Sequence, residues 1–105
     1  MIIELLRVKV PPEHREQYIQ KDAEIWTAAL ARYPGFLGKE VWINPNDTGE
    51  IILIVQWATR EEWKAIPQAE VDAIDQKFNQ ELGFQSEIVE FCEYQVRKFP
   101  RKSEV

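Results

Sequence analysis

The chain has 105 residues, of which 45% are apolar and 30% charged, an ordinary globular composition with length enough for one core and not for two. Eighteen acidic residues against 13 basic give a net charge of -5, the wrong sign for a surface that neutralises phosphates, so no nucleic-acid partner is expected. A folded chain of this size buries roughly 60 to 68% of its unfolded surface, a modest core that favours support from a second subunit.

Residues Ile2 to Val10 interleave Ile, Leu and Val with Glu4, Arg7 and Lys9, a strand pattern that Pro11-Pro12 must end because proline lacks the ladder donor. Pro12 suits the first turn of a helix, and Glu13 and Glu16 suit its positive N-terminal end. A helix is therefore predicted from about Pro12 to Tyr33, closed by Pro34-Gly35. Phe36 to Ile43 reads as a second strand, and Asn44 to Gly49, dense in turn formers, as a hairpin loop. The third strand, Glu50 to Trp57, carries the continuous run Ile51-Ile52-Leu53-Ile54-Val55 expected of a central strand covered on both faces. Thr59-Arg60-Glu61-Glu62 is a capping box in which Thr59 bonds the backbone of Glu62 and Glu62 reaches back; it opens a short helix that Pro67 interrupts. From Gln68 the apolar residues Val71, Ile74, Phe78 and Leu82 recur at helical spacing, with Gly83 as a left-handed cap, and Gln85 to Val96 is the last strand.

The order β-α-β-β-α-β is the split βαβ arrangement of an α+β domain, a four-stranded antiparallel sheet with its helices on one face. Strand three is apolar on both sides, so the second face should bury against another copy of the chain, which predicts a homodimer whose sheets meet face to face. Residues 1–96 form the single domain. Residues 97–105 are a tail with four basic residues and one acid, which leaves -8 on the rest of the chain; a solvated end is the default for it, and docking on the partner's acidic surface is the alternative.

Cys92 is the only cysteine, so neither an internal disulfide nor a thiolate metal cluster is expected. The longest aliphatic run is far short of the roughly 20 residues of a membrane helix. Met1-Ile2-Ile3-Glu4 has no basic region before an apolar stretch, so the chain reads as soluble and cytoplasmic.

Two segments carry a resemblance: Tyr33-Pro34-Gly35-Phe36-Leu37-Gly38-Lys39-Glu40-Val41, and, after a turn, Ile52-Leu53-Ile54-Val55-Gln56-Trp57-Ala58-Thr59-Arg60-Glu61-Glu62-Trp63. With the element order they resemble the antibiotic biosynthesis monooxygenase superfamily of dimeric α+β barrels, and its small single-domain members above all. The resemblance implies a ferredoxin-like subunit, a barrel formed by two sheets, and a ligand pocket in each subunit between helices and sheet. Members of that family include cofactor-free monooxygenases of aromatic polyketides and proteins that bind and degrade haem. The haem-degrading branch would place an asparagine near Leu6, a tryptophan near Ile66 and a histidine near Gln76; none of the three matches, so haem is not expected.

Independently of the family, helix one holds an anomaly. At 100° per residue Tyr18, Ile19, Ala23, Ile25, Trp26, Ala29, Leu30 and Tyr33 share an apolar face, and Asp22 falls inside it. A carboxylate there must find a partner or take up a proton through a raised pKa, which is how a buried acid becomes a usable base. Asp22 is the candidate catalytic residue, with Tyr18, Trp26, Trp63 and Phe78 as candidate substrate-binding walls. The structural alternative has Asp22 bonded to a Trp or Tyr donor or to a nearby Arg or Lys. Trp42 and Trp57, on strands, are assigned to the core or the dimer interface.

His14 is the only histidine, so no multi-histidine metal site can form in one chain; it lies at the edge of the apolar face and is expected to be exposed. Asn44 to Glu50 lacks the spacing of a calcium loop. The expected function is that of a homodimer that binds a small aromatic or apolar molecule and oxidises it without metal or organic cofactor. The alternative is a non-catalytic small-molecule-binding or scaffold dimer.

Overall fold

The two-sided apolar run at residues 51–55 lies where its chemistry requires, inside the sheet. A computed structural model of the protein describes residues 1–99. Its sheet has the order β2 (Phe36–Asn44), β3 (Asp47–Trp57), β1 (Ile2–Lys9), β4 (Glu87–Gln95), with every neighbouring pair antiparallel. This is the ferredoxin-like arrangement that the element order implied. Cross-strand partners such as Val8 and Ile51, Leu6 and Leu53, and Val41 and Leu53 share one face, and that face carries the helices. Ile52 and Ile54, with Leu5 opposite Ile54, take the other.

Helix one is less uniform than its spacing predicted. A 3₁₀ turn (Pro12–His14) leads into α1 (Arg15–Asp22); the backbone then widens to a π-helical stretch (Ala23–Thr27) before α2 (Ala28–Leu30). Tyr33 lies beyond the helix, where the amides of Arg32 and Tyr33 bond the carbonyls of Ala29 and Leu30 and tighten the last turn. The second connection is α3 (Arg60–Lys64) followed by α4 (Gln68–Leu82), and Gly83 ends α4 at φ 78°.

The hairpin is tighter than expected. Asn44 pairs with Asp47, so Pro45 and Asn46 alone turn the chain, and the ladder slips between Ile43 and Asn44. The reason is side-chain chemistry: Asn44 accepts from the Asn46 amide at 2.8 Å and Asp47 from the Gly49 amide at 3.0 Å, two local turns that replace a loop. The cap of α3 is half of what the sequence suggested. Thr59 accepts from the Glu62 amide at 3.1 Å, but the Glu62 carboxylate bonds the Thr59 hydroxyl rather than its backbone.

The core forms two clusters. One joins Val8, Tyr18, Ile51, Leu53, Phe78 and Leu82; the other joins Leu30, Val55, Trp57 and Trp63. Trp26 packs against both. Among the described residues no helix is long and apolar enough to cross a membrane. Docking of the tail concerns residues that, from position 100 on, lie outside those described.

Gly35 has φ 90°, and a Cβ placed there would lie 2.6 Å from the Cβ of Glu62. Gly35→Ala is therefore expected to cost about 2 kcal/mol, read as a fall of several degrees in the thermal midpoint. Gly83→Ala, equally left-handed but with nothing within 4 Å of the added carbon, should cost about half as much.

Candidate functional site

Between the two core clusters lies a cavity of about 710 Å³, bounded by the sheet, the first helix, α3 and α4. Tyr18, Asp22, Trp26, Trp63 and Phe78, the five candidates named from sequence, all line it. Tyr18 meets Phe78 edge to face at 5.2 Å between ring centroids, and Trp63 lies 6.3 Å from Phe91 of β4. Arg60 binds both carboxylate oxygens of Glu93, at 3.0 and 3.2 Å, and ties α3 to β4 beside Phe91.

Asp22 is buried at 1% exposure. Its partner is Lys39 of β2, whose Nζ lies 2.6 Å from Oδ2, with the two side chains 4% and 2% exposed. The contact is a charge pair, and no other group among the described residues bonds either carboxylate oxygen. Burial raises the Asp22 carboxyl above its ordinary value, and the Lys39 charge opposes that rise without cancelling it. Nearby, Glu4 of β1 accepts from the indole N–H of Trp57 at 3.2 Å, and burial raises its carboxyl too. Burial, with the charges of Asp22 and Asp75, pushes the Tyr18 phenol up, so it keeps its proton and acts as a donor.

Lys39 and Glu4 are the residues that the sequence reading passed over. Each left a signal in strand parity: Glu4 alternates with Ile2, Leu6 and Val8, and Lys39 with Val41 and Ile43, so both fall on the face that receives the helices. The other assignments separate. Trp57 is fully buried, whereas Trp42 is 49% exposed on the face without helices. His14 is half-buried rather than exposed, stacked on Phe84 at 4.5 Å, because the chain after Gly83 brings that ring over it. Cys92 is half-buried, paired with Leu5 on the face without helices. The cavity lining contains no histidine, cysteine or methionine, and Leu6 and Ile66 are its apolar members at two of the positions where the haem-degrading pattern differs.

The model of the family described as antibiotic biosynthesis monooxygenase matches residues 1–70. The chain belongs to that family. No curated protein matches it in sequence. Solved structures share its fold: a candidate antibiotic biosynthesis monooxygenase from Deinococcus radiodurans has a TM-score of 0.71 at 15% identity over 96% of this chain and 97% of that one. SnoaB, a cofactor-independent oxygenase from Streptomyces nogalater, has a TM-score of 0.63 at 17% identity over 93% and 94%. MhuD, a haem degrader from Mycobacterium tuberculosis solved with two haems in its active site, has a TM-score of 0.67 at 17% identity over 94% and 98%. At such identities the likeness establishes the architecture and carries no residue across.

The raised Asp22 carboxyl has a consequence for stability. The folded chain binds that proton more tightly than the unfolded chain, so this contribution is full below the unfolded value of about 4 and is lost as pH rises through the folded value. The thermal midpoint of the parent minus that of Asp22→Asn should therefore grow as pH is lowered from 7 towards about 4. A difference that stays flat or shrinks in paired melts would show that Asp22 is no more readily protonated in the fold than in the open chain.

Proposed function

We propose that this protein is a homodimeric monooxygenase that acts on a small aromatic or apolar substrate without metal or organic cofactor. The observation that carries the reading is a buried carboxylate, paired with Lys39 alone among the described residues, on the wall of a cavity formed by Tyr18, Trp26, Trp63 and Phe78. Pairing with a lysine is also what a structural acid would do; the position of both charged groups on the cavity wall is what favours the catalytic reading over the non-catalytic binding or scaffold alternative.

The aromatic walls hold a flat ring and exclude water, and Asp22 takes a proton from a substrate carbon made acidic by conjugation. Once Asp22 holds that proton it is neutral, and Lys39, released from the ion pair, stabilises the negative charge that spreads onto the substrate oxygen. The resulting carbanion reduces dioxygen directly. For a ring methylene, one oxygen atom becomes the new carbonyl, and the other leaves as water with the two methylene hydrogens. Asp22 returns its proton in that step and is regenerated.

Oxygen uptake with anthrone-type and quinol-type substrates tests this reading. The parent should consume oxygen, and Asp22→Asn should lower kcat by about 10² to 10⁴ with a smaller effect on KM. No uptake above the uncatalysed rate across the panel would overturn the reading.

The dimer rests on the uncovered sheet face. Leu5, Ile52 and Ile54 lie there, with Trp42 and Tyr94 exposed at 49% and 57%. At the far end of the face Arg7 bridges Glu50 and Glu90, and Lys9 bridges Asp47 and Glu50, closing the apolar area with charge. Sedimentation velocity at micromolar concentration is expected to show a dimer, and Trp42→Lys, at a position 49% exposed on that face, to shift it towards monomer; a parent that sediments as a monomer would remove this part of the proposal.

A further inference from the structure

The charged groups on the cavity wall are mostly acidic. Asp22 has Lys39 as its one partner among the described residues, and Glu4 accepts from the Trp57 indole through Oε1 while no donor among those residues bonds Oε2. Asp72 and Asp75 of α4 line the same space, so four carboxylates face two ammonium groups, those of Lys39 and Lys64. Both ammonium groups are engaged. Lys39 is held by Asp22, and Lys64 lies 3.9 Å over the centre of the Trp63 ring, a cation already resting on one of the aromatic walls.

We propose that the cavity selects an aromatic ligand whose polar end donates hydrogen bonds, a protonated amine or a hydroxyl, and rejects one that ends in carboxylate or phosphate, with Glu4 setting that preference. The inference rests on the reading of the cavity as the substrate site and narrows its substrate class. A donor gives a partner to Glu4 Oε2, which accepts from no group among the described residues, and to Asp22 Oδ1, which is buried away from Lys39. An ammonium gains further from the negative balance of the lining and from the aromatic walls. An anion placed there meets two buried carboxylates at short range, and the only nearby cations already have partners.

Isothermal calorimetry at neutral pH with naphthylmethylamine, naphthylmethanol and naphthoate tests the proposal, since the three share one ring system and differ at the polar end. The amine is expected to bind tightest and the carboxylate at least about tenfold more weakly than the amine. Glu4→Gln should narrow the ratio of amine to carboxylate affinity severalfold. Asp72→Asn with Asp75→Asn, on the exposed side of α4 where the fold tolerates change, should narrow it less, and this pair serves if Glu4→Gln does not fold. Naphthoate binding as tightly as the amine, a ratio that no variant alters, or no binding by any of the three would each overturn the proposal. Ordered binding without oxygen uptake would instead count against the oxygenase reading alone.

Discussion

The structure depends on a buried ion pair that joins the first helix to the second strand. Asp22 and Lys39 lie 17 positions apart in sequence, and their contact at 2.6 Å spans the gap between the two core clusters. Taking two charges out of water costs several kcal/mol for each ion, and their attraction repays that only in part when the geometry is imperfect. Apolar residues of the same volume would hold this region at least as well, so stability alone does not explain the pair. Both of its members border the cavity that separates the two clusters. The pair places a base and a cation side by side on the wall of that cavity. Trp26, in contact with both clusters, marks how narrow the remaining seam of apolar packing is.

Much of the fold was legible in the sequence because each signal was local. The run at 51–55 gave the central strand, Pro11-Pro12 the end of the first, and Gly83 the end of the last helix. Asp22 was legible for the same reason: four residues either side of it define an apolar helix face, and a carboxylate on that face stands out. Its partner was not, because Lys39 stands 17 residues on, in an element whose position over α1 is decided by the sheet order. Glu4 looked like an ordinary polar residue of an alternating strand until parity against Val8 is counted. The tight turn at Pro45-Asn46 was missed because Asn44 and Asp47 serve equally well in a longer loop, and the ladder register that chooses between the two belongs to the pairing with β3.

Within the family, the architecture leaves the chemistry open. SnoaB and MhuD share this topology, one described as a cofactor-independent oxygenase and the other as a haem degrader. In this chain Leu6 and Ile66 make part of the cavity lining apolar, while Glu4, Asp22 and Lys39 from one side and Lys64, Asp72 and Asp75 from the other supply its charge. The result is an amphipathic chamber, which suits a flat molecule with one reactive polar edge better than a large cofactor with charge on its rim.

The π-helical stretch at Ala23–Thr27 has a meaning for how the chain tolerates length change. A π-turn holds one residue more than the α-helical turn it replaces, so the two segments it joins are about 100° out of phase with an unbroken helix. The segment before it supplies Tyr18 to one core cluster and the segment after it supplies Leu30 to the other, each with its own register. A deletion of one residue within 23–27 would heal the helix into a regular one and leave both segments aimed as they are, whereas tightening the same residues to a regular α-helix would rotate one segment against the other. Asp22 would then swing away from Lys39 even though no side chain of the pair had been altered. In this helix the extra residue acts as a rotation, and residues with no chemistry of their own fix the aim of the one acid that has it.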